Sequence, residues 1–204
     1  MSYLAPTDSD GGGSWIAANE CGVTACLLNN YPANPSHSGP FTSRGRLPIS
    51  LMSARSVTEI DRMLRSVELE NYRPFYLFAM GEVPGSAQLF RWDGRGAIVS
   101  DRMPAPPITT SSYQSVPVVE SRTAVYRERF GGKDPTIADL LSYHSSHNPE
   151  RGAYSVCVHR DDAATKSQSH VRVGNSQVTF TYTDGPPCEE SPVTQNHLQL
   201  NPQR

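Results

Sequence analysis

The chain has 204 residues, 37% of them hydrophobic and 19% charged, which suits one domain with a modest core. Its 18 basic and 20 acidic side chains leave a formal net charge of -2, so nothing electrostatic points to nucleic acid or an anionic membrane as a partner. No apolar run approaches the roughly 18–20 residues that span a bilayer, and the N-terminus lacks the basic flank and apolar core of a signal, so a cytoplasmic protein with no transmembrane segment is expected.

In chain order, Ser14–Asn19 reads as a short strand after the Gly11-Gly12-Gly13 run. Glu20-Cys21-Gly22 is a tight turn, and Val23–Leu28 is a second strand that completes a hairpin. The stretch 31–42 is rich in Pro, Asn, Ser and Gly and reads as a loop. A short helix is expected over 47–52 and a clearer one over 57–67. Ser56 and Glu59 supply the second with a capping box, and Val57, Ile60, Met63, Leu64 and Val67 form its apolar stripe. Strands are expected over 74–80, 88–92 and 97–100, with turns at 83–86 and 93–96. Helices follow over 116–130, ended by Gly131-Gly132, and over 136–144 after Asp134-Pro135. Strands over 154–159, 170–173 and 178–183 complete the domain. Residues 1–190 are expected to form it, and 191–204 a flexible polar tail. Strand runs alternating with helix pairs place the chain in the α+β class, with largely antiparallel sheets.

Several chemical motifs fall away on inspection. The glycine run precedes a strand and lacks a following Lys-Ser/Thr, so it is no phosphate loop. No G-x-S-x-G elbow occurs. Ser2 could expose its α-amine after loss of Met1, but Tyr3-Leu4-Ala5-Pro6 reads as the middle of a strand or loop. Cys21, Cys26, Cys157 and Cys188 make no C-x-x-C pair, and Cys26 and Cys157 lie in apolar strand patterns, so buried inert thiols are expected. His144-Ser145-Ser146-His147 has a metal-like spacing but no third ligand close by in sequence. A solvated helix end is the better reading, and no metal is expected. His159-Arg160-Asp161-Asp162 reads as a charged loop at a strand end.

Asn29 carries more information. It ends the strand containing Cys26-Leu27-Leu28 and precedes the irregular loop. A side-chain amide there can aim N–H donors into a cleft, as an oxyanion hole requires, although capping a strand end is the commoner use of such an Asn.

Gly12-Gly13-Ser14-Trp15-Ile16-Ala17, then Asn19-Glu20-Cys21-Gly22-Val23, then Leu27-Leu28-Asn29-Asn30-Tyr31, resembles the NRDE family, also called the transport and Golgi organisation 2 family. Ser43-Arg44-Gly45-Arg46 is similar to the family's Arg-Gly segment. Tyr154–Arg160, Val178–Tyr182 and Asp184-Gly185-Pro186-Pro187-Cys188 resemble the C-terminal strands of its bacterial members. The family in turn resembles the N-terminal-nucleophile amide hydrolases. That implies a four-layer αββα sandwich, an N-terminal cysteine nucleophile, an oxyanion Asn matched by Asn29, and a later Arg matched more weakly by Arg122. Ser111 and Ser112 fall where a second polar site residue is implied, and Tyr31 lies beside Asn29.

Family members open with Met-Cys, a strand and an Asn-Arg-Asp-Glu signature, whereas this chain opens as if roughly forty residues later. The resemblance therefore implies a chain without the nucleophile, inactive toward amides and lacking the first strand of its sheet. The exposed edge so created would favour self-association. No cofactor is expected. The alternative implied function is non-catalytic handling of haem or lipid on the same scaffold, with an unknown small molecule as the partner.

Overall fold

The computed structural model describes residues 1–35, 37–81, 83 and 85–201. Ser36 of the expected loop, Pro84 of the expected turn and the last three residues of the expected tail lie outside the described residues. The chain divides into two compact units: Met1–Pro104 with Val171–Phe180 and Gln195–Arg204, and Ala105–His170 with Thr181–Thr194.

The first unit holds a six-stranded sheet in sequential order: β1 (Tyr3–Leu4), β2 (Ile16–Asn19), β3 (Thr24–Asn29), β4 (Phe75–Met80), β5 (Gln88–Trp92) and β6 (Val99–Arg102). Every neighbouring pair is antiparallel. The register sets Ala25 opposite Ala79 and Leu27 opposite Leu77, and Leu77 opposite Phe90. Because side chains alternate along a strand, Phe75, Leu77 and Ala79 all reach one face, and all three are buried.

Helix α1 (Arg46–Ser50), a 3-10 turn at Leu51–Ser53 and helix α2 (Val57–Arg65) supply the other half of that core. Leu47, Leu51, Met52, Ile60 and Leu64 join Val23, Ala25, Phe75, Leu77, Phe90 and Trp92 in one buried cluster. The α2 stripe behaves as its spacing predicts, with Val57, Ile60 and Leu64 buried. Ser56 Oγ accepts from Glu59 N at 3.2 Å, but the Glu59 carboxylate accepts from Arg55 N instead of closing the box on Ser56.

Asn19 locks the β2–β3 turn onto the helical layer. Its Nδ2 donates to the carbonyls of Ala54 (2.7 Å) and Met52 (3.1 Å), while its Oδ1 accepts from Cys21 N and Val23 N, both at 3.0 Å. The side chain is fully buried and its amide satisfied at both ends. Gly22 sits at φ 72°, a conformation the turn requires and that glycine adopts without cost.

The second unit contains helices α3 (Ser115–Phe130) and α4 (Ile137–His144). Thr136 and Asp139 form a complete reciprocal capping box at the start of α4. Tyr126, Phe130 and Tyr143 pack edge to face, with ring centroids 4.9–6.0 Å apart. A three-stranded sheet is ordered β7 (Gln168–Val173), β8 (Gln177–Thr183) and β9 (Val193–Gln199).

Mixed α and β structure with mostly antiparallel sheets is therefore what the chain adopts. Two expectations need correction. Residues 154–159 are not a strand: they run through bends, with one isolated bridge from His159 to Ala164. The polar stretch after Cys188 is not wholly irregular, because β9 lies in it. The two-residue β1 agrees with the strand or loop expected at Tyr3-Leu4-Ala5-Pro6, and its length is too short for a periodic signal. Among the described residues, no helix is long and apolar enough to cross a membrane.

Candidate functional site

Gly13 and Gly45 build the first candidate site. Ser14 N donates to Gly45 O at 2.8 Å, and a Cβ on Gly13 would lie 2.5 Å from the Gly45 carbonyl carbon. Only two bare backbones can approach this closely, which brings Trp15 on one segment beside Arg44 on the other. The strand-ending Asn29 and the inward Leu27 of β3 complete the wall.

The resulting pocket has a volume of about 340 Å³ and is lined by Asp8, Ser14, Trp15, Leu27, Asn29, Phe41, Thr42, Ser43, Arg44, Gly45 and Arg73. Three of the motif segments, around Trp15, Asn29 and Arg44, thus converge on one cavity. Arg44 is half-buried, and its NH1 donates to Pro74 O at 2.8 Å. Desolvation lowers its pKa first, and the positive charge of Arg73 lowers it further against an opposing contribution from Tyr31. Arg73 lies 5.2 Å above the Phe41 ring. Two like charges therefore line the pocket with apolar Trp15, Leu27 and Phe41, alongside the single carboxylate of Asp8. A larger cavity of about 600 Å³ is lined by Arg65, Glu68, Glu70, Trp92 and Ile98 among others, with carboxylates outnumbering its one guanidinium.

Asn29 Nδ2 donates to the hydroxyl of the exposed Tyr31 at 2.9 Å, so one of its amide protons is engaged. None of the four thiols lines the pocket. Cys21 belongs to the core cluster, and burial pushes the Cys26 thiol up to about 11.

The remaining expected site residues lie in the second unit. Arg122 is buried and donates to Ser155 O, Thr110 O and Ala153 O, each at 3.0 Å, and to Thr109 Oγ1 at 3.2 Å. Its donors are spent on holding chain segments together. Ser111 Oγ donates to Tyr113 O at 2.7 Å and accepts from Tyr113 N at 3.1 Å, a local turn. Ser112 is exposed, with Arg160 NH1 at 3.4 Å from its hydroxyl.

A second constellation joins residues that local sequence spacing leaves apart. His147, Cys157, His159 and Cys188 each offer a ligand atom, and these atoms all lie within 4.8 Å of one another. His159 Nε2 is 3.5 Å from Cys157 Sγ and 3.2 Å from Cys188 Sγ. The ring of His147 stands edge-on to that of His159 at 5.0 Å. His144, which shares the sequence motif with His147, ends α4 exposed as expected. The one sequence signal for the cluster is Cys157-Val158-His159, since positions two apart in extended chain share a face. The other two partners are remote in sequence.

Residues 2–122 match the family described as transport and Golgi organisation 2. That is more than half of the chain, so the chain belongs to this family. The match takes in the Asn29–Arg44 pocket and ends before His147. No curated protein matches the chain.

Proposed function

We propose that this member of the transport and Golgi organisation 2 family binds a small amphipathic anion in the pocket around Asn29 and Arg44, and does not itself cleave amides. One observation carries the reading: two guanidinium groups, Arg44 and Arg73, line one pocket with Trp15, Leu27 and Phe41 and outnumber its one carboxylate, Asp8. The Arg73 charge disfavours the protonated form of Arg44, so a bound anion would relieve the repulsion between them. A planar guanidinium also recognises carboxylate or phosphate with paired donors. The apolar side chains would take the body of the ligand. Fatty acids and haem both carry carboxylates on a large apolar body, and a cavity of about 340 Å³ would enclose the head and the first part of either.

The resemblance to amide hydrolases, and the four-layer sandwich that goes with it, is retained as part of this reading. In that scheme Asn29 keeps an oxyanion-like place, but the thiol chemistry is lacking at the pocket. Asn29 then serves as a neutral donor to the bound head group.

Trp15 gives a direct readout. Fluorescence is titrated with oleate and with oleyl alcohol, both below their micellar concentrations, and with haemin. Oleate is expected to quench at micromolar concentrations, with the alcohol at least about tenfold weaker, since each tenfold is about 1.4 kcal/mol and one charge-assisted hydrogen bond contributes that much. The double variant Arg44→Gln, Arg73→Gln should lose the difference. Equal binding of acid and alcohol, or binding of neither oleate nor haemin, overturns the proposal. Amide hydrolysis that disappears in Asn29→Ala would overturn its non-catalytic half.

A further inference from the structure

We infer that His147, Cys157, His159 and Cys188 form a closed site for one divalent cation of the zinc class. None of the four lines the anion pocket, and all four follow the stretch matched to the family.

The ligand set comes first. Two thiols and two imidazoles are the donors that select zinc over magnesium or calcium, which take oxygen. Two thiolates would also neutralise the charge of the ion. Geometry comes second. Metal–sulfur bonds of about 2.3 Å and metal–nitrogen bonds of about 2.0 Å at the tetrahedral angle imply ligand–ligand edges of roughly 3.5 Å. The two edges from His159 Nε2, 3.5 Å and 3.2 Å, lie at and about 0.3 Å below that value. The widest separation, within 4.8 Å, closes with a shift of about 1 Å in loop side chains.

Burial comes third. Cys157 is fully buried, and the Nε2 atom of His147 is buried without a hydrogen-bond partner among the described residues. A buried polar atom left unpaired is costly, and its presence beside two sulfur atoms and another imidazole calls for a ligand.

The chain holds the four in place by backbone contacts. Cys157 N donates to Ser146 O at 3.1 Å, which ties the His147 segment to the Cys157 segment. His159 N donates to Gly152 O at 3.2 Å, and Val158 is bonded to Thr165 through both N–H and C=O. Cys188 enters from the turn in which Glu189 N donates to Pro186 O.

The surroundings make one further demand. Arg151 NH2 lies 3.2 Å from His159 Nδ1 and 3.5 Å from Glu189 Oε1. A guanidinium only donates, whereas a His159 ligating through Nε2 must carry its proton on Nδ1. On metal binding the exposed Arg151 therefore leaves His159 and pairs with Glu189 alone. With four protein ligands and no open position, the site is structural. It would staple a unit whose own apolar core is small: its buried hydrophobic side chains are Val118, Val125, Tyr143 and Cys157.

The full chain, reduced and stripped of metal, is titrated with Co²⁺ and then with Zn²⁺. One equivalent of Co²⁺ should give sulfur-to-cobalt absorption in the near ultraviolet and visible bands of tetrahedral intensity, and Zn²⁺ should abolish both. Cys188→Ser and His147→Gln should weaken binding by more than the roughly 10–100-fold that loss of an outer-shell partner costs, while His144→Gln changes nothing. Should a variant fail to fold, alkylation mapped on the native chain decides: Zn²⁺ should protect the partly exposed Cys188 and leave Cys21 and Cys26 unaffected. Weak octahedral spectra, uptake far below one equivalent, undiminished binding by Cys188→Ser, or equal labelling with and without Zn²⁺ each overturn the inference.

Discussion

The two units are held together by different means. In the first, the core cluster runs from Ala17 to Ile98 through Val23, Leu51, Ile60, Phe75, Leu77, Phe90 and Trp92, and polar groups enter it only as satisfied locks such as Asn19. In the second, the buried apolar side chains Val118, Val125, Tyr143 and Cys157 are matched by buried Ser111, Arg122, Ser146 and Ser155. Apolar burial is non-directional and tolerates imprecision, whereas a buried polar network stabilises only when every member is satisfied. The second unit should therefore be the more brittle of the two, and the one that gains most from a bound ion.

The sharpest way to break this comparison is in the first core. Trp92→Ala should cost about 3–5 kcal/mol in urea unfolding, because a fully buried indole is lost and a cavity remains. In the second unit Arg122→Met should cost about 1.5–3 kcal/mol, since it keeps the aliphatic stem but strands the acceptors at Ser155, Thr110, Ala153 and Thr109. Hydrogen exchange should locate that loss in 109–157 and leave β3 and β4 protected. If β3 exchanges equally fast, the units do not open separately and the comparison fails.

Gly13→Ala should cost about 1–3 kcal/mol by forcing the Gly45 backbone away. Here the informative measurement is Trp15 fluorescence with oleate, which should weaken beyond what the loss of stability explains. Helix caps offer a smaller, matched pair: Ser56→Ala in the first unit and Thr136→Ala in the second should each cost about 1 kcal/mol in thermal unfolding.

The smallest effect is a pH dependence. Hydrogen bonds from the Thr136 hydroxyl and N–H hold the exposed Asp139 carboxyl below its ordinary pKa. A depressed folded-state pKa contributes stability above the unfolded value, and that contribution fades as pH falls through the folded value. Amide exchange in the first turn of α4 should rise on acidification in the native chain, and this acid response should be reduced in Thr136→Ala, which keeps only the backbone N–H bond to Asp139.

Local pattern and global arrangement divide cleanly along this chain. The sequence by itself determined the α2 stripe, β5, the hairpin at Gly22, and the helices after 115, because period, capping residues and turn glycines act over a few positions. It also marked Asn29, Trp15 and Arg44 as parts of recurring segments, though not as neighbours. Their meeting depends on Gly13 against Gly45, a contact between backbones that composition does not announce. Arg73 and Phe41 join the pocket from loops with no periodic signal. The bends at 154–159 defeated the strand pattern there because Ser155 turns back on the backbone, with its Oγ bonding to the carbonyls of Gly152 and Cys157.

Only the tertiary structure decided the fate of the histidines and cysteines in the second unit. Read by spacing, each belonged to a solvated helix end, an apolar strand or a polar turn. Metal ligation depends on distance in space, and loops from 146 to 188 bring together four donors that no local spacing links.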